Sequence, residues 1–162
     1  MYAIGTHIAT CKKQPALGLV CKLTEIDGVP RMKFSADAGK ATLPGNKVVY
    51  RVWTGEGERA AFDLISLQGE EVKVGIHRLF NLRTESEEEH KIVKMMKLNE
   101  VMDISQFSHT LLESKECLVE SVRELPERVF DLKEATRFEI LMTGGFLEVF
   151  RKARDGAGVK HV

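Results

Sequence analysis

Ile4-Gly5-Thr6-His7 places a glycine turn directly after a short apolar run, Tyr2 to Ile4. Such a turn can aim successive backbone N–H groups at an anion, with the Thr6 hydroxyl as a further donor. In a β/α barrel, phosphates bind at the loops after the last strands, where a short helix begins. On four residues with one glycine, an ordinary turn remains the commoner explanation. Thr143-Gly144-Gly145 repeats the logic between an expected strand and an expected helix, since free N–H groups at a helix start attract anions. There the plainer reading is preferred: Thr143 caps the first turn and the glycines ease the bend.

Other chemistry-bearing residues point nowhere in particular. His7, His77, His90, His109 and His161 show no metal-ligand spacing, and none sits beside a cysteine at a ligand distance in sequence. No residue is assigned a catalytic or metal-binding role. Cys21 falls within an expected strand and is read as core. Glu87-Glu88-Glu89 is read as a solvated face rather than a metal site. No P-loop, dinucleotide fingerprint or serine nucleophile elbow occurs.

Positioning these residues requires strands first. Leu17 to Ile26 alternates Leu17, Leu19, Cys21 and Leu23 on one face, and Asp27-Gly28 is a hairpin signal. Val29 to Phe34 would return, residues 35–46 are loop-like, and Val48 to Trp53 and Ala60 to Leu67 are strand candidates. Residues 16–82 therefore predict a set of antiparallel strands. Residues 84–98 favour a helix locally, because Thr84 with Glu87 fits a capping box and acidic residues precede Lys91, Lys94 and Lys97. From Ser108, Leu111, Leu118, Val122 and Leu125 recur at helical spacing and Pro126 marks the stop. Arg137 to Met142 predicts a strand, Thr143 a cap, and Phe146, Leu147, Val149 and Phe150 the apolar face of a final helix. The tail from residue 155 onward is expected to be disordered.

Composition sets the outer limits. Hydrophobic residues make up 43% and charged residues 30%, the balance of a globular protein. Lys plus Arg equals 24, as does Asp plus Glu, which disfavours a nucleic-acid surface. No apolar run approaches the roughly 20 residues of a membrane helix, so no membrane partner is expected. The N-terminus lacks the pattern of a secretory signal. Three cysteines at wide spacings fit a reducing compartment better than a disulfide framework. A cytosolic protein is the default expectation. Because Tyr2 to Ile4 reads as the end of an element, sheet partners from elsewhere and truncation of a longer chain are expected too.

The stretch Tyr2-Ala3-Ile4-Gly5-Thr6-His7-Ile8-Ala9-Thr10-Cys11, continuing through Gln14-Pro15-Ala16-Leu17-Gly18, resembles nicotinate phosphoribosyltransferases. So do Val20-Cys21-Lys22-Leu23, Pro30-Arg31-Met32-Lys33-Phe34-Ser35, Pro44-Gly45-Asn46-Lys47 and Tyr50-Arg51, in the family's order and near its spacing. More thinly, Val74-Gly75 is similar to the turn before the family's next strand, and Arg137 to Leu147 to its strand, cap and helix. The resemblance implies the C-terminal portion of a type II phosphoribosyltransferase, an irregular α/β barrel with a β-rich domain. It therefore implies an α+β fragment, antiparallel and β-rich at its start with helices toward its end. Residues 1–15 would end the barrel with its phosphate loop, 16–105 form the β-rich segment, 106–154 the helical segment and 155–162 the tail.

The implied reaction joins nicotinate to phosphoribosyl pyrophosphate, giving nicotinate mononucleotide, an early step toward NAD. ATP and magnesium are implied cofactors, acting through a phosphohistidine. In that setting Gly5 and Thr6, with His7 adjacent, match the loop holding the phosphate of the ribosyl substrate and product. Ala3 and Tyr2 depart from the family's usual glycine and phenylalanine there, and Ala3 would stiffen a turn that needs positive φ. Residues matching the phosphorylated histidine and the nicotinate contacts are not found in this chain. Residues 84–110 also depart, since the family tends to be extended there, so helix and extended readings both stand. The implied partners are the missing N-terminal part of such an enzyme and a second copy in a homodimer. The alternative is a non-catalytic β-rich interaction module derived from such an enzyme.

Overall fold

The computed structural model describes residues 21–35, 41–55, 57, 59–98, 110–131, 134 and 136–156. The first paired strands are β1 (Glu25–Ile26) and β2 (Val29–Pro30), an antiparallel hairpin in the register Glu25↔Pro30 and Ile26↔Val29. Asp27 and Gly28 both take positive φ, 50° and 74°. That is the geometry a two-residue hairpin turn demands and the reason for the Asp-Gly pair. Among the described residues, the longer strands expected around this turn are paired over only two residues each, and Cys21 is exposed rather than core. Leu23, expected on the same inward face, is exposed as well. Neither end of the hairpin joins the main sheet, so no second layer covers that face among the described residues.

The main sheet has six strands: β3 (Lys47–Trp53), β4 (Phe62–Leu67), β5 (Gly75–Asn81), β6 (Glu87–Ile92), β7 (Lys94–Lys97) and β8 (Ile140–Met142). Their order is β6-β5-β8-β4-β3-β7. The two ends of this order are joined by a single residue, Val93, whose N–H donates to the Trp53 carbonyl at 2.8 Å. One extended stretch thus pairs with β5 through His77↔His90 and with β3 through Val52↔Met95. The sheet is therefore curled on itself, which protects edges that would otherwise be open.

The helix that residues 84–98 favour locally is overturned by this pairing. Asn81 Oδ1 accepts the Arg83 and Thr84 N–H groups at 2.9 and 3.3 Å, and Glu85 takes φ 55°, so residues 82–86 turn instead of starting a helix. Beyond them Ile92 is fully buried and Met95 packs on the core. Burial on a sheet wins over the helix propensity of Glu, Lys and Met, which is worth only tenths of a kcal/mol per residue, roughly.

Alternation along the strands makes two cores. Val52, Phe62, Leu64, Leu79, Ile92 and Leu141 fill the concave side of the sheet, and each is at most 1% exposed. Ile65 and Met142 face the other way onto Phe146 and Leu147 of helix α2 (Gly144–Asp155). Burial of each such side chain contributes about 1.5–3 kcal/mol. Ser66 shares the concave side, fully buried, with no hydrogen-bond partner for its hydroxyl among the described residues.

β8 ties the halves together. It runs parallel to β4 (Leu64↔Leu141) and antiparallel to β5 (Phe80↔Met142), so three residues from late in the chain separate two earlier hairpins. The expected strand from Arg137 is real but pairs only from Ile140. Helix α1 (Leu111–Arg123) stands apart. Thr110 and Glu113 close a reciprocal capping box at its start, and Pro126 opens the following 3-10 turn, Glu127–Phe130. Its C-terminal end is held by the Ala60 N–H on the Glu124 carbonyl at 2.7 Å and by Arg59 on Glu127. No described helix is long and apolar enough to cross a membrane.

Candidate functional site

The second glycine turn resolves into a filled helix start. β8 ends at Met142, and Thr143 turns the chain with ψ 160° before α2 begins. The Thr143 hydroxyl accepts the Phe146 N–H at 3.3 Å and donates to Glu70 Oε2 at 2.6 Å. The same carboxylate oxygen accepts the Leu67 N–H at 2.7 Å. A Cβ at Gly145 would collide with Glu70 Oε1, so a side chain there would push the carboxylate away. α2 has no acidic residue in its first turn; Glu70 supplies the favourable negative charge from the β4–β5 loop. The place an external anion would take is occupied by the protein's own side chain. The plain-cap reading of Thr143 stands, and Glu70 is the part that no local signal announced.

The first glycine turn, Gly5, Thr6 and His7, lies outside the described residues. Among the motif blocks within them, Pro44-Gly45-Asn46-Lys47 proves to be architectural. Pro44 is fully buried and Gly45 takes φ 77°, with Leu67 Cδ2 and Val149 Cγ1 within 4 Å of where its Cβ would stand. Lys47 Nζ donates to the Leu43 and Pro44 carbonyls at 2.8 and 3.3 Å and also to that of Gly45. Burial lowers the Lys47 pKa below its usual value, with Glu25 opposing the shift. The Asn46 N–H donates to Glu25 Oε2 at 3.0 Å, fastening the β1–β2 hairpin to the root of β3.

A second clamp joins α2 to the β5–β6 turn. Arg151 Nε donates to Glu85 Oε2 at 2.8 Å, and Arg154 binds Oε1 of the same carboxylate. Burial pushes the Glu85 carboxyl up, but the two arginines outweigh it and hold it below the usual range. Hydrogen bonding to Glu85 raises Arg154 in turn.

The histidines are rearranged by pairing that no sequence spacing reveals. His77 and His90 are directly opposed on β5 and β6. His77 Nε2 lies 2.7 Å from the Lys73 carbonyl. The His90 ring stands edge-on to Phe62, with ring centroids 5.0 Å apart, and its Nε2 lies 3.3 Å from Glu88 Oε2. That approach falls outside hydrogen-bond geometry, which leaves the buried Nε2 without a hydrogen-bond partner among the described residues. No group of three or more His, Cys, Asp or Glu side chains could hold a metal among the described residues. Glu87, Glu88 and Glu89 are exposed, as a solvated face should be. The signal missed in sequence is cationic: Arg83, Arg128 and Arg137 line one cleft.

The architecture is a mixed α+β fragment whose fold matches the crystal structure of human nicotinic acid phosphoribosyltransferase. The TM-score is 0.63 at 19% identity, over 85% of this chain and 26% of that chain. In sequence the chain is similar to nicotinate phosphoribosyltransferases. It is 56% identical to that of Dictyostelium discoideum over 57 residues, 35% of this chain and 10% of the relative. The Caenorhabditis elegans enzyme is 45% identical over 69 residues, 43% of this chain and 12% of the relative. The Homo sapiens enzyme is 44% identical over 69 residues, 43% of this chain and 13% of the relative. No family model matches the chain. The aligned stretches thus span only 10–13% of the length of these curated relatives.

Proposed function

We propose that this chain serves as one portion of a nicotinate phosphoribosyltransferase and does not catalyse the reaction alone. The observation that carries this reading is the 44–56% identity to three enzymes of that name. The whole enzyme would join nicotinate to phosphoribosyl pyrophosphate and release nicotinate mononucleotide and pyrophosphate, with ATP and magnesium as cofactors. Gly5 and Thr6 would donate to the ribosyl phosphate, with His7 beside them. Phosphoribosyl transfer needs several groups held together around the anomeric carbon, and one phosphate loop does not supply them. The rest of such an enzyme, in the cytosol and as a homodimer, is the partner this reading requires.

Two assays test it. The purified 162-residue chain, given nicotinate, phosphoribosyl pyrophosphate and MgATP, should form no nicotinate mononucleotide above the blank. The human enzyme carrying this chain's matching 69 residues should keep its activity. Thr6→Val in a chimaera that includes Thr6 should lower kcat/KM about ten-fold, the cost of a hydrogen bond to a charged group. An inactive but folded chimaera would contradict the assignment.

One observation favours a second reading, a non-catalytic interaction module. Leu112 and Leu118 of α1 face solvent, 65% and 63% exposed. A stable, monodisperse chain that captures no enzyme portion would favour the module.

A further inference from the structure

The β5–β6 turn, the 3-10 turn after α1 and the segment entering β8 meet around a cleft of about 500 Å³. Each element contributes one arginine: Arg83, Arg128 and Arg137. All three are exposed. No ion pair or hydrogen bond joins any of the three guanidinium groups to another described residue. The one carboxylate lining the cleft, Glu139, is already engaged, accepting the Asn81 side-chain N–H at 3.1 Å through Oε1. Glu127 pairs with Arg59, Glu85 with Arg151 and Arg154, and Asp131 accepts the Glu134 N–H, while the exposed Glu134 is not among the residues lining the cleft.

Three cations facing one carboxylate is a local excess in a chain whose total charge is zero. Like charges gathered from three separate elements cost electrostatic energy unless a counter-charge is bound. The choice of arginine at all three positions narrows what that counter-charge is. A guanidinium presents a planar fork of donors that matches a phosphate or carboxylate oxygen pair, where lysine offers only a point charge. Leu82, Phe138 and Ile140 add an apolar wall to the same cleft.

The geometry points to a binding site for a phosphate-class oxyanion, held by Arg83, Arg128 and Arg137. The oxyanion is either free phosphate or the phosphate of a ligand whose body lies on the Leu82–Phe138–Ile140 wall. This site does not depend on the Gly5–Thr6 loop or on the transferase reading.

The test is an NMR titration of the ¹⁵N-labelled 162-residue chain at fixed ionic strength. Inorganic phosphate and adenosine 5′-monophosphate are the two probes, and sodium chloride is the control. Phosphate should give saturable shifts at the amides of residues 82–84, 128 and 136–140. Tighter binding of the nucleotide would place its body on the apolar wall, and equal binding would assign the site to the free anion. Each of R83Q, R128Q and R137Q should weaken binding about five- to ten-fold, the worth of one charge-assisted contact, with the lysine variants between. These side chains are exposed, so the variant spectra should otherwise superpose on the parent and folding is checked in the same experiment. Shifts matched by chloride, or binding unchanged in the folded triple glutamine variant, would overturn the proposal.

Discussion

The curled sheet and helix α1 solve the same problem in opposite ways. In the sheet, apolar side chains from five strands close on each other, and Phe62, Leu64, Leu79, Ile92 and Leu141 leave almost no surface to water. In α1, Leu112, Leu118, Val119 and Val122 stay exposed. Its polar needs are met, since the Thr110–Glu113 box satisfies its first turn. Among the described residues, α1 is held by its own caps and by tethers from Ala60 and Arg59 rather than by apolar packing.

The largest expected effect lies in the sheet. Leu64→Ala should cost about 3–5 kcal/mol in urea unfolding, because a fully buried leucine leaves a cavity as well as losing its transfer energy. The matching change on the helix, Leu118→Ala, should cost less than about 0.5 kcal/mol. Comparable losses would erase the distinction between the two regions.

Gly145→Ala comes next. Its new Cβ would displace the Glu70 carboxylate from the start of α2, at a cost of about 1–3 kcal/mol. Adding Glu70→Ala should recover part of that loss, and strictly additive effects in the double-mutant cycle would show that the two do not meet.

Ser66→Ala should stabilise the chain by about 1 kcal/mol, since it removes a buried hydroxyl that lacks a partner. Destabilisation in thermal melts would mean that the hydroxyl is satisfied.

The Glu85 clamp gives the smallest effect and a definite sign. Its folded-state pKa is lowered, so its contribution is complete above the ordinary carboxylate range. That contribution is lost as pH falls through the folded value. Glu85→Gln should lower stability at neutral and alkaline pH and flatten the acid side of the curve, with the difference from the parent vanishing at low pH. An unchanged acid limb would assign that limb to other carboxylates.

What could be read from sequence divides along the same lines. Asp27-Gly28, Val48 to Trp53, Ala60 to Leu67 and Thr143 each carry a local signal, and the structure realises them as a hairpin turn, the strands Lys47–Trp53 and Phe62–Leu67, and a helix cap. Residues 87–97 carry a misleading one, because their strand state is set by partners on β3 and β5. The parallel β4–β8 pairing and the Glu70–Thr143 bond join residues more than seventy positions apart, and no periodicity records that. The arginine cleft is hidden for the same reason, since Arg83, Arg128 and Arg137 meet only once β8 is inserted. The Gly5-Thr6-His7 loop was legible as a motif, and its geometry lies outside the described residues.

Native-state hydrogen exchange on the 162-residue chain tests the central contrast most directly. Amides of β3, β4, β5 and β8 should share one high protection level, set by global unfolding. Leu111–Arg123 should exchange far faster, through local opening. Equal protection in α1 would contradict that contrast, showing that the helix is already covered in the free chain.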